Sequence, residues 1–121
     1  MASRAYRFLT RARAAGVVAG LLLAISAADA RAQGDRDRGE ALYAVCATCH
    51  GPNGEGMQEM NGPALAGREA WYLRRQLENY KSGARGSDSR DIYGLQMAPM
   101  AQLLPDAQAI ADVVAYITSL E

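Results

Sequence analysis

The motif Cys46-Ala-Thr-Cys49-His50 limits the possible folds and functions of this chain more than any other feature of its sequence. It contains both cysteines and the single histidine of the 121 residues. These three side chains could form a disulfide, a dithiol catalyst, a metal site or a cofactor anchor. Each of these requires different surroundings, so the rest of the sequence decides among them.

The first 32 residues consist of an arginine-rich start, an apolar run and a final stretch rich in small residues. The apolar run, Ala14 to Ile25, has 12 residues, whereas a membrane-spanning helix needs about 20. These features predict a cleavable secretory signal peptide at residues 1–32, which leaves Gln33 as the first mature residue. Cleavage after Ala30 and an uncleaved amphipathic anchor are the alternatives.

The predicted mature domain, residues 33–121, has 89 residues and an excess of acid. It holds 8 basic and 12 acidic residues, a net charge of −4, and six of the bases lie between Arg68 and Arg90. An acidic domain of this kind is a poor nucleic-acid binder. The basic segment suits docking on another protein, or it is a solvated helix face. Because so short a domain buries little apolar surface, we expect it to depend on a metal, a disulfide or a cofactor.

Three segments of the mature chain have the apolar period of amphipathic helices, so we expect an all-α fold. Asp35 is suited to cap the first helix, Gly83 to end the second and Pro105 to begin the third. Their apolar stripes are Gly39, Leu42, Tyr43 and Cys46; Leu73, Leu77 and Tyr80; and Ile110, Val113, Val114, Ile117 and Leu120.

Two long stretches, residues 50–67 and 82–103, are rich in turn-forming residues and show no convincing periodicity. We expect both to be loops, and no segment alternates as a strand does. Loops of this length in a compact domain usually wrap or carry something. Their share of so small a protein favours a bound group that completes the core.

The number, spacing and position of these three residues argue against a zinc site, a structural disulfide and a dithiol catalyst. A zinc site needs four ligands, and the chain has three cysteine and histidine residues in total. A disulfide across two residues closes too small a loop to stabilise much. A thioredoxin-like dithiol begins a helix in a βαβ unit, whereas Cys46 and Cys49 end a predicted helix. Cys-x-x-Cys-His is instead the attachment sequence of c-type haem, with one helical turn between two thiols that reach the same porphyrin.

A haem iron bound by His50 has a second axial position, and a methionine is the natural ligand because no other histidine exists. Met57 and Met60 follow His50 closely, in a loop that must still pass around the ring edge. Met97 and Met100 lie far enough along the chain to return to the opposite side. From the residues alone either of these two suits ligation, and methionine is also ordinary core filler.

The mature chain resembles the class I c-type cytochromes, in particular the small bacterial periplasmic monohaem branch. The resemblance rests on "GDRDRGEALYAVCATCHGPNGEG", "GPALAGREAWYLRRQLENYKSGARG" and "MAPMAQLLPDAQAIADVVAYI". It implies a small cytochrome c fold, in which the N- and C-terminal helices cross and loops wrap one haem c attached through Cys46 and Cys49.

The resemblance also implies roles for single residues. His50 and Met97 match the axial ligands of the iron, with Met100 packed nearby. Pro63 matches the residue whose carbonyl accepts the Nδ1 proton of the ligating histidine. The family often has Ser or Thr before its last helix, so Pro105 implies a weaker cap. Haem contacts are implied for Leu65, Leu73 and Leu77, and helix-crossing contacts for Gly39, Tyr43, Val113 and Tyr116.

The same resemblance implies a monomeric periplasmic carrier of single electrons that is not an enzyme. The short apolar run and the acidic charge add the expectation of no membrane span in the mature form and no nucleic-acid partner. Redox donor and acceptor proteins would dock briefly at the haem edge, steered by charge. One alternative is the electron-accepting subunit of a larger dehydrogenase. Another is a haem enzyme or gas sensor with an open iron position.

Overall fold

The computed structural model describes residues 34–120, which form four α-helices and one 3₁₀ turn. The helices are α1 (Arg36–His50), α2 (Ala70–Ser82), α3 (Ile92–Gln102) and α4 (Ala107–Ile117), and the 3₁₀ turn is Gln58–Met60. Within the described range no strand occurs beyond an isolated bridge between Met57 and Gly62. The predicted all-α fold is therefore confirmed.

Residues 34–120 contain no helix with the length and apolar character needed to cross a membrane. The signal peptide predicted at residues 1–32 lies outside the described residues and stays a prediction.

Helix α1 begins where the sequence predicts. The carboxylate of Asp35 accepts hydrogen bonds from the backbone N–H groups of Asp37 and Arg38, at 3.0 and 3.1 Å. These bonds satisfy two of the donors that a helix N-terminus leaves without a partner. The helix then runs without interruption to His50, so its last turn carries the Cys-x-x-Cys-His motif.

Helices α1 and α4 cross in close contact. Gly39 is buried at the crossing, where a Cβ atom would overlap the carbonyl oxygen of Asp112. One turn later the rings of Tyr43 and Tyr116 pack with their centroids 5.2 Å apart. Val113 is 1% exposed in the same cluster. The predicted crossing contacts are present because glycine lets the two backbones approach.

Polar contacts fix the same crossing at its outer end. The carboxylate of Asp112 is almost fully buried and accepts a hydrogen bond of 2.7 Å from the backbone N–H of Asp35. It also accepts a hydrogen bond of 2.8 Å from the Gln108 amide and pairs with Arg38 at 3.0 Å. Burial opposes the charge of Asp112, but these donors outweigh it and hold the pKa of the carboxyl below its usual value.

Helix α2 buries the apolar face that the sequence predicts and ends at the predicted glycine. Leu73 and Tyr80 are buried, and Gly83 closes the helix in the left-handed conformation at φ 75°. The Lys81 ammonium donates to the carbonyl of Leu104, and the Gln102 amide donates to the carbonyl of Tyr80 at 3.4 Å. The end of α2 is thereby joined to the segment between α3 and α4.

Helix α3 contradicts the loop predicted for residues 82–103. Asp91 caps the helix by accepting a hydrogen bond of 2.9 Å from the Gly94 N–H. Apolar residues lie on all of its sides, so it lacks the amphipathic period on which the prediction depended. Pro99 stands inside the helix, although proline usually ends one.

Helix α4 begins two residues later than predicted. Its N-cap is Asp106, whose carboxylate accepts a hydrogen bond of 2.8 Å from the Ala109 N–H. Pro105 precedes the cap and is not the first helical residue. The weaker cap expected from Pro105 is therefore wrong, because the neighbouring aspartate supplies the acceptor.

Candidate cofactor site

The last turn of α1 presents three reactive side chains to one cavity. Cys46 and Cys49 are half-buried, His50 is buried, and all three line the cavity. Because 3.6 residues complete a helical turn, the two thiols lie one above the other and the imidazole follows directly.

The loop after α1 returns to the motif through two close approaches. The Gly56 N–H donates a 2.7 Å hydrogen bond to the carbonyl of His50, and Gly56 adopts a φ of 84°. Met57 and Gly62 then exchange backbone hydrogen bonds of 2.8 and 3.0 Å. A Cβ atom at Gly62 would overlap the carbonyl oxygen of Cys49. Glycine at this position therefore lets the loop place the next residue, Pro63, beside His50.

The imidazole of His50 has a defined tautomer. Its Nδ1 lies 2.7 Å from the carbonyl oxygen of Pro63. A carbonyl oxygen only accepts hydrogen bonds, so Nδ1 carries the proton and donates it. In the neutral ring, Nε2 then keeps the lone pair that a metal ion requires. The side chain is thus held as a nitrogen ligand at the wall of the cavity.

The cavity has a volume of about 920 Å³, within the usual range for cofactor sites. Much of its wall is apolar and belongs to the hydrophobic core: Leu42, Leu65, Leu73, Leu77, Leu104, Val113 and Ile117. The leucines expected to contact a haem, at positions 65, 73 and 77, are among them. A flat apolar group in this space would complete a core that is otherwise small.

Four methionines line the cavity, and they come from two parts of the chain. Met57 and Met60 belong to the loop after α1, and Met97 and Met100 lie one turn apart on α3. Met97 and Met100 are similarly half-buried. The structure therefore brings the predicted Met97 to the cavity that contains His50 and brings Met100 there as well.

Polar residues at the cavity wall were missed by the sequence argument. The Arg85 guanidinium donates a 2.6 Å hydrogen bond to Gln76 Oε1 and lies 4.8 Å from the centre of the Tyr80 ring. All three residues and Arg68 line the cavity. In sequence, these arginines differ in no way from the other bases of the 68–90 segment, so no signal distinguished them.

The geometry disfavours the dithiol and the metal-cluster interpretations of the motif. Burial raises the pKa of the Cys46 thiol, which opposes the thiolate that a redox catalyst needs. Among residues 34–120, no group of three or more His, Cys, Asp or Glu side chains could hold a metal ion.

Comparison with known proteins agrees with the geometry. Residues 36–121 match the family model described as Cytochrome c. Cytochrome c-554(548) of Halomonas halodenitrificans is 38% identical over 73% of this chain and 99% of its own length. A thiosulfate dehydrogenase electron acceptor of Stutzerimonas stutzeri is 40% identical over 75% of this chain and 40% of its own length.

Among solved structures, reduced recombinant cytochrome c4 from Pseudomonas stutzeri matches with a TM-score of 0.58 and 35% identity. The match covers 73% of this chain and 46% of cytochrome c4, so the chain spans less than half the length of that relative. The family match and the full-length likeness to cytochrome c-554(548) lead to one conclusion. This chain belongs to the cytochrome c family, whose members bind haem c covalently and carry electrons rather than catalyse a reaction.

Proposed function

We propose that this chain shuttles single electrons in the periplasm and that His50 and Met97 are the axial ligands of its haem iron. The observation that carries the proposal is the 2.7 Å contact between His50 Nδ1 and Pro63 O. Because this contact engages Nδ1, it leaves Nε2 of His50 free to bind a metal. The two thiols of Cys46 and Cys49 line the same apolar cavity. Haem c, when bound, supplies an iron that alternates between Fe(II) and Fe(III) and so passes one electron.

Cys46 and Cys49 are the attachment residues in this proposal. Two thiols one helical turn apart suit the two vinyl groups of one porphyrin, and His50 is the next residue after the second thiol. The continuous helix α1 holds this spacing constant.

Pro63 acts as a positioning residue, because its carbonyl fixes the tautomer and the ring orientation of His50. A hydrogen bond to the outer nitrogen also makes the ligating nitrogen more basic. The carbonyl belongs to the backbone, so its position depends on the turn closed by Met57 and Gly62. We expect the loop geometry to matter more than the proline side chain.

The second ligand is assigned to Met97. A thioether is a soft ligand, and a His/Met pair gives a higher reduction potential than two nitrogens. The apolar wall acts in the same direction, because it disfavours the additional positive charge of the oxidised site. Met100 is the competing ligand, since it lies one turn further along α3 and lines the same cavity.

The remaining parts of the proposal concern partners and compartment. The predicted signal peptide at residues 1–32 supports export to the periplasm, where covalent haem attachment takes place. A monomer with both axial positions filled needs no substrate, so its partners are a redox donor and a redox acceptor protein. Contacts with such partners are small and short-lived.

Two methionine variants of the haem-loaded protein test the ligand assignment. Met97→Ala should remove the ferric absorption band that thioether ligation gives near the red end of the spectrum. In the reduced state it should also bind carbon monoxide rapidly, because one axial position is open. Met100→Ala is the matched control and should keep the band and exclude carbon monoxide.

Other outcomes of the same experiment have different meanings. If Met100→Ala opens the iron and Met97→Ala does not, the ligand is Met100. If the unsubstituted protein binds carbon monoxide rapidly, the chain is instead a haem enzyme or gas sensor with an open position.

An electron-accepting subunit of a larger dehydrogenase is the second candidate function. Two relatives named thiosulfate dehydrogenase electron acceptor, from Stutzerimonas stutzeri and Thiomonas intermedia, favour it at 40% and 35% identity. Gel filtration of a periplasmic extract separates the two candidates. Co-elution with a large partner supports the subunit, and elution as a small monomer supports the free carrier.

A further inference from the structure

Helix α3, which carries the proposed ligand Met97, has little helical stability of its own. It is 11 residues long, and isolated helices shorter than about 12–15 residues are marginal in water. Gly94 and Pro99 lie inside it, and glycine and proline are the residues least favourable in a helix interior. Pro99 has no N–H, so the carbonyl of Leu95 lacks its helical hydrogen bond. Contacts with the rest of the protein therefore hold α3 in place.

Two side chains join the end of α3 to the end of α2, the helix against which α3 mainly packs. The Lys81 ammonium donates a hydrogen bond to the carbonyl of Leu104, a residue that is 5% exposed. The Gln102 amide donates in the opposite direction, to the carbonyls of Lys81 at 3.2 Å and Tyr80 at 3.4 Å. We call these hydrogen bonds of Lys81 and Gln102 the α2–α3 link. The link joins positions 21 to 23 residues apart, so it closes the whole segment that contains α3.

Lys81 supplies the charged donor of this link. It is the only lysine of the chain and is half-buried. Ion pairs within residues 34–120 belong to Arg38 and Arg90, whereas Lys81 has a backbone carbonyl as its partner. A hydrogen bond with a charged donor is stronger than one between neutral groups. Lys81 therefore differs from a solvated base of the 68–90 segment, because its charge is directed at the backbone that follows α3.

We propose that Lys81 is a positioning residue for the second axial ligand, because the α2–α3 link holds α3 and its methionine against the cofactor cavity. The proposal rests on the proposed function, and in particular on a methionine ligand from α3. Lys81 does not line the cavity, so its effect passes through the helix. Met97 and Met100 both precede the link on the same helix, and the link acts on either of them.

The link affects how often the thioether leaves the iron. A sulfur atom carried by α3 moves away from the cofactor only when the helix moves, and the link opposes that movement. Opening it breaks the hydrogen bond of a charged donor while the crossing of α1 and α4 remains packed. Loss of the link should therefore raise the rate of thioether dissociation without unfolding the domain.

Binding of imidazole to the oxidised haem-loaded protein measures this rate. At saturating imidazole, binding is limited by dissociation of the thioether and is followed by stopped-flow absorption. Lys81→Met keeps a chain of similar length without the charged donor, and it should raise the limiting rate roughly tenfold. Lys81→Arg restores a charged donor and should stay within about threefold of the unsubstituted protein.

Two controls separate the link from charge and from general stability. Arg75→Met removes the same charge from an exposed position of α2 that does not line the cavity, so it should change the rate less than about twofold. Tyr43→Phe loosens the α1–α4 crossing and leaves the link intact, so it should also change the rate less than about twofold. An equal increase in either control would overturn the proposal.

Hydrogen exchange gives a readout that does not depend on ligand binding. The amides of α3 should exchange roughly tenfold faster in K81M and less than about twofold faster in Y43F. Gln102→Ala removes the neutral donor of the link and should give a smaller increase of about threefold, which keeps the test decisive if K81M does not fold.

The proposal is wrong if folded K81M and Q102A both retain the imidazole rate and the α3 exchange of the unsubstituted protein. Failure of the proposed function appears differently. The unsubstituted protein would then lack the thioether absorption band, and its imidazole rate would rise in proportion to concentration without a limit in every variant.

Discussion

Replacing Gly39 by alanine measures how closely α1 and α4 approach. A Cβ atom at Gly39 would overlap the carbonyl oxygen of Asp112 and would lie 2.9 Å from the Cβ of Tyr116. Neither a backbone oxygen nor the first atom of a side chain can rotate away. The two helices must therefore separate to admit a single methyl group.

The expected magnitude follows from two opposing effects. In an ordinary helix interior, Gly→Ala stabilises the protein by about 1 kcal/mol. Overpacking of a tight contact destabilises by about 1–3 kcal/mol, and separation also loosens Tyr43 and Val113, which are 2% and 1% exposed. Because the added Cβ would overlap a backbone atom, the upper end of the overpacking range applies, and we expect Gly39→Ala to lower the free energy of unfolding by about 2 kcal/mol, opposite in sign to the effect of helix propensity.

Urea unfolding of the oxidised haem-loaded protein, followed by circular dichroism, measures this difference. In a domain of this size 2 kcal/mol corresponds to a decrease in Tm of roughly 10 °C. Ala41→Gly, at an exposed position of the same helix, calibrates the propensity effect and should destabilise by about 1 kcal/mol. A Gly39→Ala protein as stable as the unsubstituted one would refute the close approach of the helices.

Two further predictions concern buried polar groups near this crossing. Asp112→Asn should destabilise the protein by about 1–3 kcal/mol at neutral pH, because the charge-assisted bonds of the carboxylate are lost. The lowered pKa of Asp112 means that its contribution is present above the ordinary aspartate pKa and is lost as the pH falls through the folded pKa. Unfolding free energies of both proteins should therefore converge in acid, and a constant difference would contradict this. Tyr43→Phe removes the 2.8 Å hydrogen bond to the Gly51 carbonyl and should cost about 1 kcal/mol. Burial raises the pKa of Tyr43 to about 12, so folding stability falls between about pH 10 and pH 12 as the unfolded chain ionises first. Y43F should show a shallower alkaline decline, and identical declines would exclude this contribution of Tyr43.

The elements predicted correctly are those in which one side of the chain faces the core. Helices α1 and α2 have polar outer faces, and α4, although buried at every position from Ala109 to Val114, still carries large apolar side chains at the helical period. The position of Gly83 was also predictable, because a helix end requires a left-handed conformation that glycine adopts best, whereas the role of Gly39 at the crossing was implied only by the family resemblance. These are local properties, and a single sequence contains them.

The position of Pro63 beside His50 is a property of the folded loop. The residues Met57 and Gly62, which close the turn, are 5 residues apart, and their pairing depends on the approach of Gly62 to Cys49. Resemblance to a family pointed to Pro63, whereas periodicity and composition did not. The role of Arg85 could not be predicted from the sequence either, because only the fold brings this residue to Gln76 and to the cavity wall.

Helix α3 was not predicted because its apolar residues do not follow the helical period. A helix that faces only the core alternates apolar and polar sides, and that alternation is what sequence analysis detects. Helix α3 has one apolar side toward the cavity, with Met97 and Met100, and a second toward solvent, with Ile92 and Leu95. Two apolar sides erase the period. The amphipathic signal is therefore absent for a physical reason: α3 borders the cavity on one side and remains apolar at exposed positions on another.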